Sequence, residues 1–256
     1  MNVRRTHPVP CVAVAGDLSI LGGAAILAAV TVGSTVQSTI GFGFAMVAAP
    51  VVALIRPAAL PSTLLLLALP MTGAMAIRER RDIDLGGYLR IVAGRILGTA
   101  GGVWLLVSVP QDSLAALFGG MILVAAVASA VRGAVELRWR PRFTAGIASG
   151  VMGTTTSIGG PPLALLYQDR PGPEIRSTLA LSFFTGLVAS LTGLAIAGRI
   201  LGWHLLLALE LLPALALGVV VGGGAGRRLD AGWLRPAVIA FSAASGGLAL
   251  VKGLLA

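Results

Sequence analysis

The chain has 256 residues, 56% of them hydrophobic and 11% charged, with a formal net charge of +9 and a mean hydropathy of +0.93. Soluble domains carry about 25% charged residues, so the composition excludes a water-soluble globular protein and defines an integral membrane protein. The 19 basic residues are scattered over short loops, with no soluble module to gather them; this argues against a nucleic-acid partner and leaves the arginines as topology signals.

A transmembrane barrel would alternate apolar and polar residues over about ten positions. The apolar runs here are apolar on every side, so an all-α polytopic fold is expected. The single cysteine, Cys11, rules out an intrachain disulfide and every multi-cysteine metal site. The two histidines, His7 and His204, and the lack of paired acids at helical spacing within an apolar run give no metal-hydrolysis or nucleophile–base arrangement. No enzyme activity, cofactor or metal is therefore expected.

In chain order, Met1 to Gly16 reads as an N-terminal tail, since its apolar run, Cys11 to Ala15, is shorter than a signal-peptide core. Ten apolar runs follow. Six are long enough to approach the roughly 20 residues a spanning helix needs: Leu60–Ile77, Leu85–Val107, Leu114–Val131, Ile175–Ala197, Leu205–Val221 and Leu234–Leu255. Four are short, Leu18–Val32, Ala45–Ile55, Phe143–Val151 and Leu163–Tyr167, and they form the arms of two polar interruptions. The first interruption carries Gly33, Ser34, Gln37, Ser38, Thr39, Gly41, Phe42 and Gly43 on the way to Pro50. The second carries Gly153, Thr154, Thr155, Thr156, Ser157, Gly159, Gly160, Pro161 and Pro162.

Sliding the chain by 118 residues lays Ile40-Gly41 on Ile158-Gly159. Ser62-Thr63-Leu64 likewise matches Ser177-Thr178-Leu179, and Gly98 and Gly102 match Gly218 and Gly222 at a shift of 120. The chain thus reads as a duplication: a first transmembrane repeat over 17–131, a polar linker over 132–142 on the cytoplasmic surface, and a second repeat over 143–256. If each broken segment is a re-entrant hairpin, thirteen basic residues collect on one face against five on the other, with Arg95 inside a helix. If each broken segment crosses fully, the bias falls to twelve against six. Cytoplasmic loops are enriched in lysine and arginine, which favours the hairpin reading: two inverted repeats, each a re-entrant helical hairpin followed by three transmembrane helices.

Non-helical backbone survives at membrane depth only where protein or a water-filled cavity surrounds it. Paired interruptions in two repeats point to a transporter's binding site. Each interruption leads into a short helix, whose free amides and partial positive charge favour a small anion, and Pro161 suits the first position of such a helix. Gly41, Gly43, Gly159 and Gly160 would admit a ligand close to the backbone. Ser34, Gln37, Ser38 and Thr39, with Thr154, Thr155, Thr156 and Ser157, would add neutral donors to a cage without formal charge.

Two ionisable residues fall within helices. Arg95 would either draw an anion into the cavity or snorkel to the cytoplasmic interface. Glu210 would either carry a coupled proton or pair with Arg95, Arg90 or a backbone group. His204 beside Trp203 reads as an interface residue.

Gln37-Ser38-Thr39-Ile40-Gly41-Phe42-Gly43-Phe44 with Pro50, paired with Gly146-Ile147-Ala148-Ser149-Gly150 and Ile158-Gly159-Gly160-Pro161-Pro162, resembles the TauE/SafE family of sulfite and organosulfonate exporters over about Ala24 to Leu254. The resemblance implies a multi-pass transporter of the bacterial inner membrane that moves a small sulfur-containing anion, sulfite or a sulfonate such as sulfoacetate, usually outward. It implies a small anionic substrate and the lipid bilayer as partners, and it allows a homo-oligomer. Thr154 to Ser157, where relatives are richer in glycine, and Arg95 depart from the family pattern. An anion channel and a proton-coupled importer remain alternatives.

Overall fold

The computed structural model describes residues 20–110, 113–130, 138–167, 169–225 and 231–255. The expected tail and most of the linker therefore lie outside the described residues. Ten helices follow in order: α1 (Ile20–Ile40), α2 (Phe44–Ile55), α3 (Ser62–Arg78), α4 (Leu85–Ser108), α5 (Leu114–Ala130), α6 (Trp139–Thr156), α7 (Gly160–Tyr167), α8 (Gly172–Ile196), α9 (Gly202–Ala225) and α10 (Ala231–Leu255). Among the described residues there is no strand, as the uniformly apolar runs required. Trp139 to Arg142, placed in the linker by the sequence, form the first turn of α6.

Among the described residues, five helices hold stretches long and apolar enough to cross a membrane, within α1, α4, α8, α9 and α10. The runs assigned to α3 and α5 give helices of 17 described residues each, at the lower end of the roughly 17–25 residues that cross a bilayer. One expectation is corrected. The polar stretch from Gly33 to Thr39 does not break its helix, so α1 is continuous over 21 residues. The reason is local: Ser34, Thr35 and Thr39 each donate a hydroxyl hydrogen to the carbonyl four residues earlier, which satisfies the side chain without leaving the helix. Thr155 and Thr156 do the same in α6. Each break shrinks to three residues, Gly41 to Gly43 and Ser157 to Ile158 with Gly159.

Helix starts follow from local chemistry. Asp84 caps α4 by accepting from the Gly87 amide at 2.9 Å, and α8 opens after Pro171 with a second proline in its first turn and Glu174 beside it. The start of α2 is capped from the preceding helix: Gln37 Oε1 accepts from the Phe44 amide at 3.1 Å.

Packing is carried by small residues. A Cβ at Gly94, Gly98 or Gly102 of α4 would strike Phe143, Ile147 and Thr154 of α6, while Gly146 and Gly150 of α6 pack on the backbone of α4. Gly218 and Gly222 of α9 lie against Ser34, Thr35 and Ser38 of α1, and the Thr31 hydroxyl donates to the Ala214 carbonyl. In both pairs the residue numbers rise together, so α1 runs in the direction of α9, and α6 in the direction of α4. Close backbone approach of this kind drives helix association in lipid, where apolarity alone cannot.

The two glycine pairs that match in sequence thus do matching work. Exchanging halves turns the α4–α6 pair into α9–α1 and the α2–α10 pair into α7–α5, and maps the α3–α8 and α5–α10 pairs onto themselves. The starts of α3 and α8 also correspond: Ser62 donates to the Arg199 carbonyl just before α9, and Thr178 accepts from the Asp84 amide just before α4. The core sits at the centre of this arrangement, where α2 and the first half of α3 are almost entirely buried.

Candidate functional site

The two breaks meet. Phe42 of the first lies beside Gly160 of the second, where a Cβ would stand 3.5 Å from the phenylalanine side chain. The turns need unusual backbone. Gly41 and Gly43 have φ of 93° and 118°, and Ser157 takes the left-handed conformation with φ of 66°, a region costly for a side-chain-bearing residue. Ser157 is held there by its backbone amide, which donates to the Gly153 carbonyl at 2.9 Å, and by its hydroxyl, which donates to the Pro61 carbonyl at 3.2 Å.

Between the breaks lies a cavity of about 50 Å³, lined by Gln37, Phe42 to Met46, Gly153 and Ser157 to Gly160, and closed by Leu65, Ala68, Thr72, Phe183, Leu187, Ser190 and Arg95. One water needs about 10–15 Å³ of such space, so there is room for a few waters or one small oxyanion.

Arg95 dominates its electrostatics. Only 3% of the residue is exposed. Nη1 donates to Ser149 Oγ at 2.6 Å, and Ser149 donates in turn to the Gly159 carbonyl at 2.5 Å. Nε is buried with no hydrogen-bond partner, the guanidinium stands 5.6 Å from the Phe183 ring centre, and Gly186 leaves the space it occupies, since a Cβ there would collide with it. No carboxylate among the described residues is within ion-pair distance of it. An uncompensated buried ion costs several kcal/mol, and intramembrane charge marks function by default. An anion entering the cavity would remove that cost.

Of the residues expected at the site, Gln37, Phe42, Gly43, Ser157, Gly159, Gly160 and Arg95 line the cavity. Ser34, Ser38, Thr39, Gly41, Thr155, Thr156 and Pro161 do not. The hydroxyls of Ser34, Thr39, Thr155 and Thr156 are spent on their own helices, and Ser34 and Ser38 also form the seat for α9. The expected cage without formal charge is therefore corrected: fewer neutral donors reach the cavity, and a buried cation does. Arg95 does not snorkel. Glu210 is exposed on α9, away from the cavity, and pairs with neither Arg95 nor Arg90. His204 is buried, stacked on Trp203 at 3.8 Å.

Sequence reasoning missed Ser149, Ser190 and Gly186 as site residues, along with a cluster at one end of the molecule. There Asp84 accepts from Arg142 at 2.5 Å and from the Tyr167 hydroxyl at 3.0 Å, which ties together the start of α4, the start of α6 and the end of α7. Alongside it, Arg176 of α8 reaches Glu79 after α3 at 3.4 Å. Burial alone would raise the Asp84 carboxyl, but the Gly87 amide, the Tyr167 hydroxyl and Arg142 hold it below the ordinary carboxylate value. The readable signal was Asp84 at a helix N-cap position ahead of a glycine pair. At the opposite end, the α2–α3 and α8–α9 connections enclose a wider vestibule lined by Pro61, Ser62, Leu106, Arg199, Trp203 and His204, among others.

These features define a helical, multi-pass membrane protein with a buried cationic cavity between two helix breaks, the class to which anion transporters belong. The model of the TauE/SafE sulfite exporter family matches residues 25–248, nearly the whole chain, and the chain belongs to that family of membrane transporters. No curated protein matches it. No solved structure does either.

Proposed function

We propose that this protein exports a small sulfur-containing oxyanion, sulfite or an organosulfonate such as sulfoacetate, across the bacterial inner membrane, binding it beside Arg95 between the two helix breaks. The observation that carries this reading is a buried guanidinium with no carboxylate partner among the described residues, in a cavity that both breaks line. Alternating access is supported by closure on both sides: the Asp84 cluster ties the helix ends at one side, and the Ser157–Pro61 hydrogen bond stands between the cavity and the vestibule. An open pore would have neither barrier. An inverted relation between the repeats is supported by the parallel α1–α9 and α4–α6 pairs, each joining the first helix of one half to the fourth of the other.

The arginine-rich end, with Arg78, Arg142, Arg170 and Arg176, would face the cytoplasm. An interior-negative potential drives a monovalent anion outward by about 2.3 kcal/mol per 100 mV, so export needs no coupled ion. The test is sulfite flux in proteoliposomes with the protein as it is and with Arg95→Gln. Saturable flux, accelerated by unlabelled sulfite on the far side and lost in R95Q, is expected. Flux unchanged in R95Q, or ohmic single-channel currents, would refute the reading.

A further inference from the structure

We propose that the vestibule opposite the Asp84 cluster is a second anion station, in which Arg199 holds a small oxyanion as it passes to or from the Arg95 cavity. The proposal rests on the reading of the Arg95 cavity as an anion site. The vestibule has a volume of about 410 Å³, far larger than the central cavity, so it can hold a hydrated anion. Its described lining carries Arg199 and no aspartate or glutamate, and Arg56 sits over the ring of Trp203, 4.9 Å from its centre. A cleft lined by one sign of charge between low-dielectric walls concentrates counter-ions.

Arg199 is built for this role. Its Nη2 donates to the Leu106 carbonyl at 2.8 Å and makes a longer contact with the Val107 carbonyl. Two of the five N–H groups of a guanidinium are thereby engaged, and Nε and Nη1 have no partner among the described residues. The anchoring bonds go to neutral carbonyls, so the charge is held in place without being cancelled. The wall beside it is fixed by His204: Nδ1 accepts from the Leu201 amide at 3.0 Å, which leaves Nε2 as the protonated nitrogen facing the Ala58 carbonyl at 3.1 Å.

The two compartments share a thin partition. Pro61 lines the vestibule, and its carbonyl takes the hydroxyl of Ser157, which lines the central cavity. Breaking that one bond and shifting Pro61 would join them. Arg95 and Arg199 are alike in form, each anchored through one terminal nitrogen with Nε left over, so an oxyanion would pass between two similar guanidinium edges.

Trp203 lines the vestibule and serves as the reporter. In full-length protein with Trp104, Trp139 and Trp233 replaced by phenylalanine, quenching of Trp203 is measured with iodide, an anion, and with neutral acrylamide. Arg199→Gln is expected to lower the iodide quenching constant about threefold through loss of local anion enrichment, with acrylamide quenching unchanged and Arg199→Lys close to the starting protein. Sulfite is expected to compete with iodide in protein that keeps Arg199, including an R95Q version, and not in R199Q. Equal iodide quenching in R199Q, or absence of sulfite competition where Arg199 is intact, would overturn the proposal; the second measurement needs no Arg199 variant and so survives a folding defect. Normal flux in R95Q with sulfite competition preserved would refute the central site while leaving the vestibule standing.

Discussion

Arg95 and Ser149 meet across the α4–α6 interface, and because the Ser149 hydroxyl gives its single hydrogen to the Gly159 carbonyl, its lone pairs are what hold Nη1 of the arginine. The cation is therefore aimed by the helix break itself. Ser149→Ala would free the guanidinium and strand a buried donor. A hydrogen bond to a charged group contributes about 1.5–3 kcal/mol, so flux at subsaturating sulfite should fall about 10- to 100-fold. A rise in KM larger than the fall in maximal rate, with partial recovery in Ser149→Thr, would identify a positioning defect in the proteoliposome assay.

Gly186 offers a second handle on the same arginine from α8. A Cβ there would overlap Nε and Nη2 of Arg95, so Gly186→Ala should displace the side chain and abolish sulfite binding while the detergent-solubilised protein still elutes as a folded species. Binding by calorimetry checks this; unimpaired binding would mean that the observed guanidinium position is not the one used.

The Asp84 cluster has a defined pH signature. A carboxyl whose folded pKa is depressed adds stability that is complete above its unfolded value, about 3.9, and that disappears as pH falls through the lowered folded value. Thermal unfolding in detergent should therefore shift to lower temperature as the pH drops below about 4. Asp84→Asn should lose stability at neutral pH and flatten this acid dependence.

Glu210→Gln should leave both flux and its pH profile unchanged, because the carboxyl lies on the exposed side of α9 and away from the cavity. Proton-coupled flux weakened by this substitution would restore the residue to the mechanism.

Gly98→Val tests packing apart from the site. Its Cβ branch would push against the Ile147 backbone, and the expected outcome is loss of folded protein, about 1–3 kcal/mol of destabilisation, in contrast to Ser149→Ala, which is expected to stay folded with weakened flux.

The helices, the two breaks and the matched glycine pairs were legible in the sequence because each leaves a local trace: apolar length, loss of periodicity, spacing of four. The extent of the breaks was not. Ser34, Thr39 and Thr155 look the same in a string whether a hydroxyl lines a cavity or folds back onto the carbonyl four residues earlier, and only the structure separates them. Arg95 was recognised as unusual, but its fate depends on Ser149, 54 residues away, and on the empty side of Gly186. Neither is visible one helix at a time. Asp84 was passed over for the same reason, since Arg142 and Tyr167 reach it from distant parts of the chain.

The glycine-lined pairs α1–α9 and α4–α6 have a consequence for how the molecule is assembled. The first helix of each half finds its closest seat in the other half, so a ribosome that has finished only the first half has made a fragment whose opening helix still lacks its neighbour. The two halves, made as separate polypeptides in one cell, should recover activity together that neither shows alone.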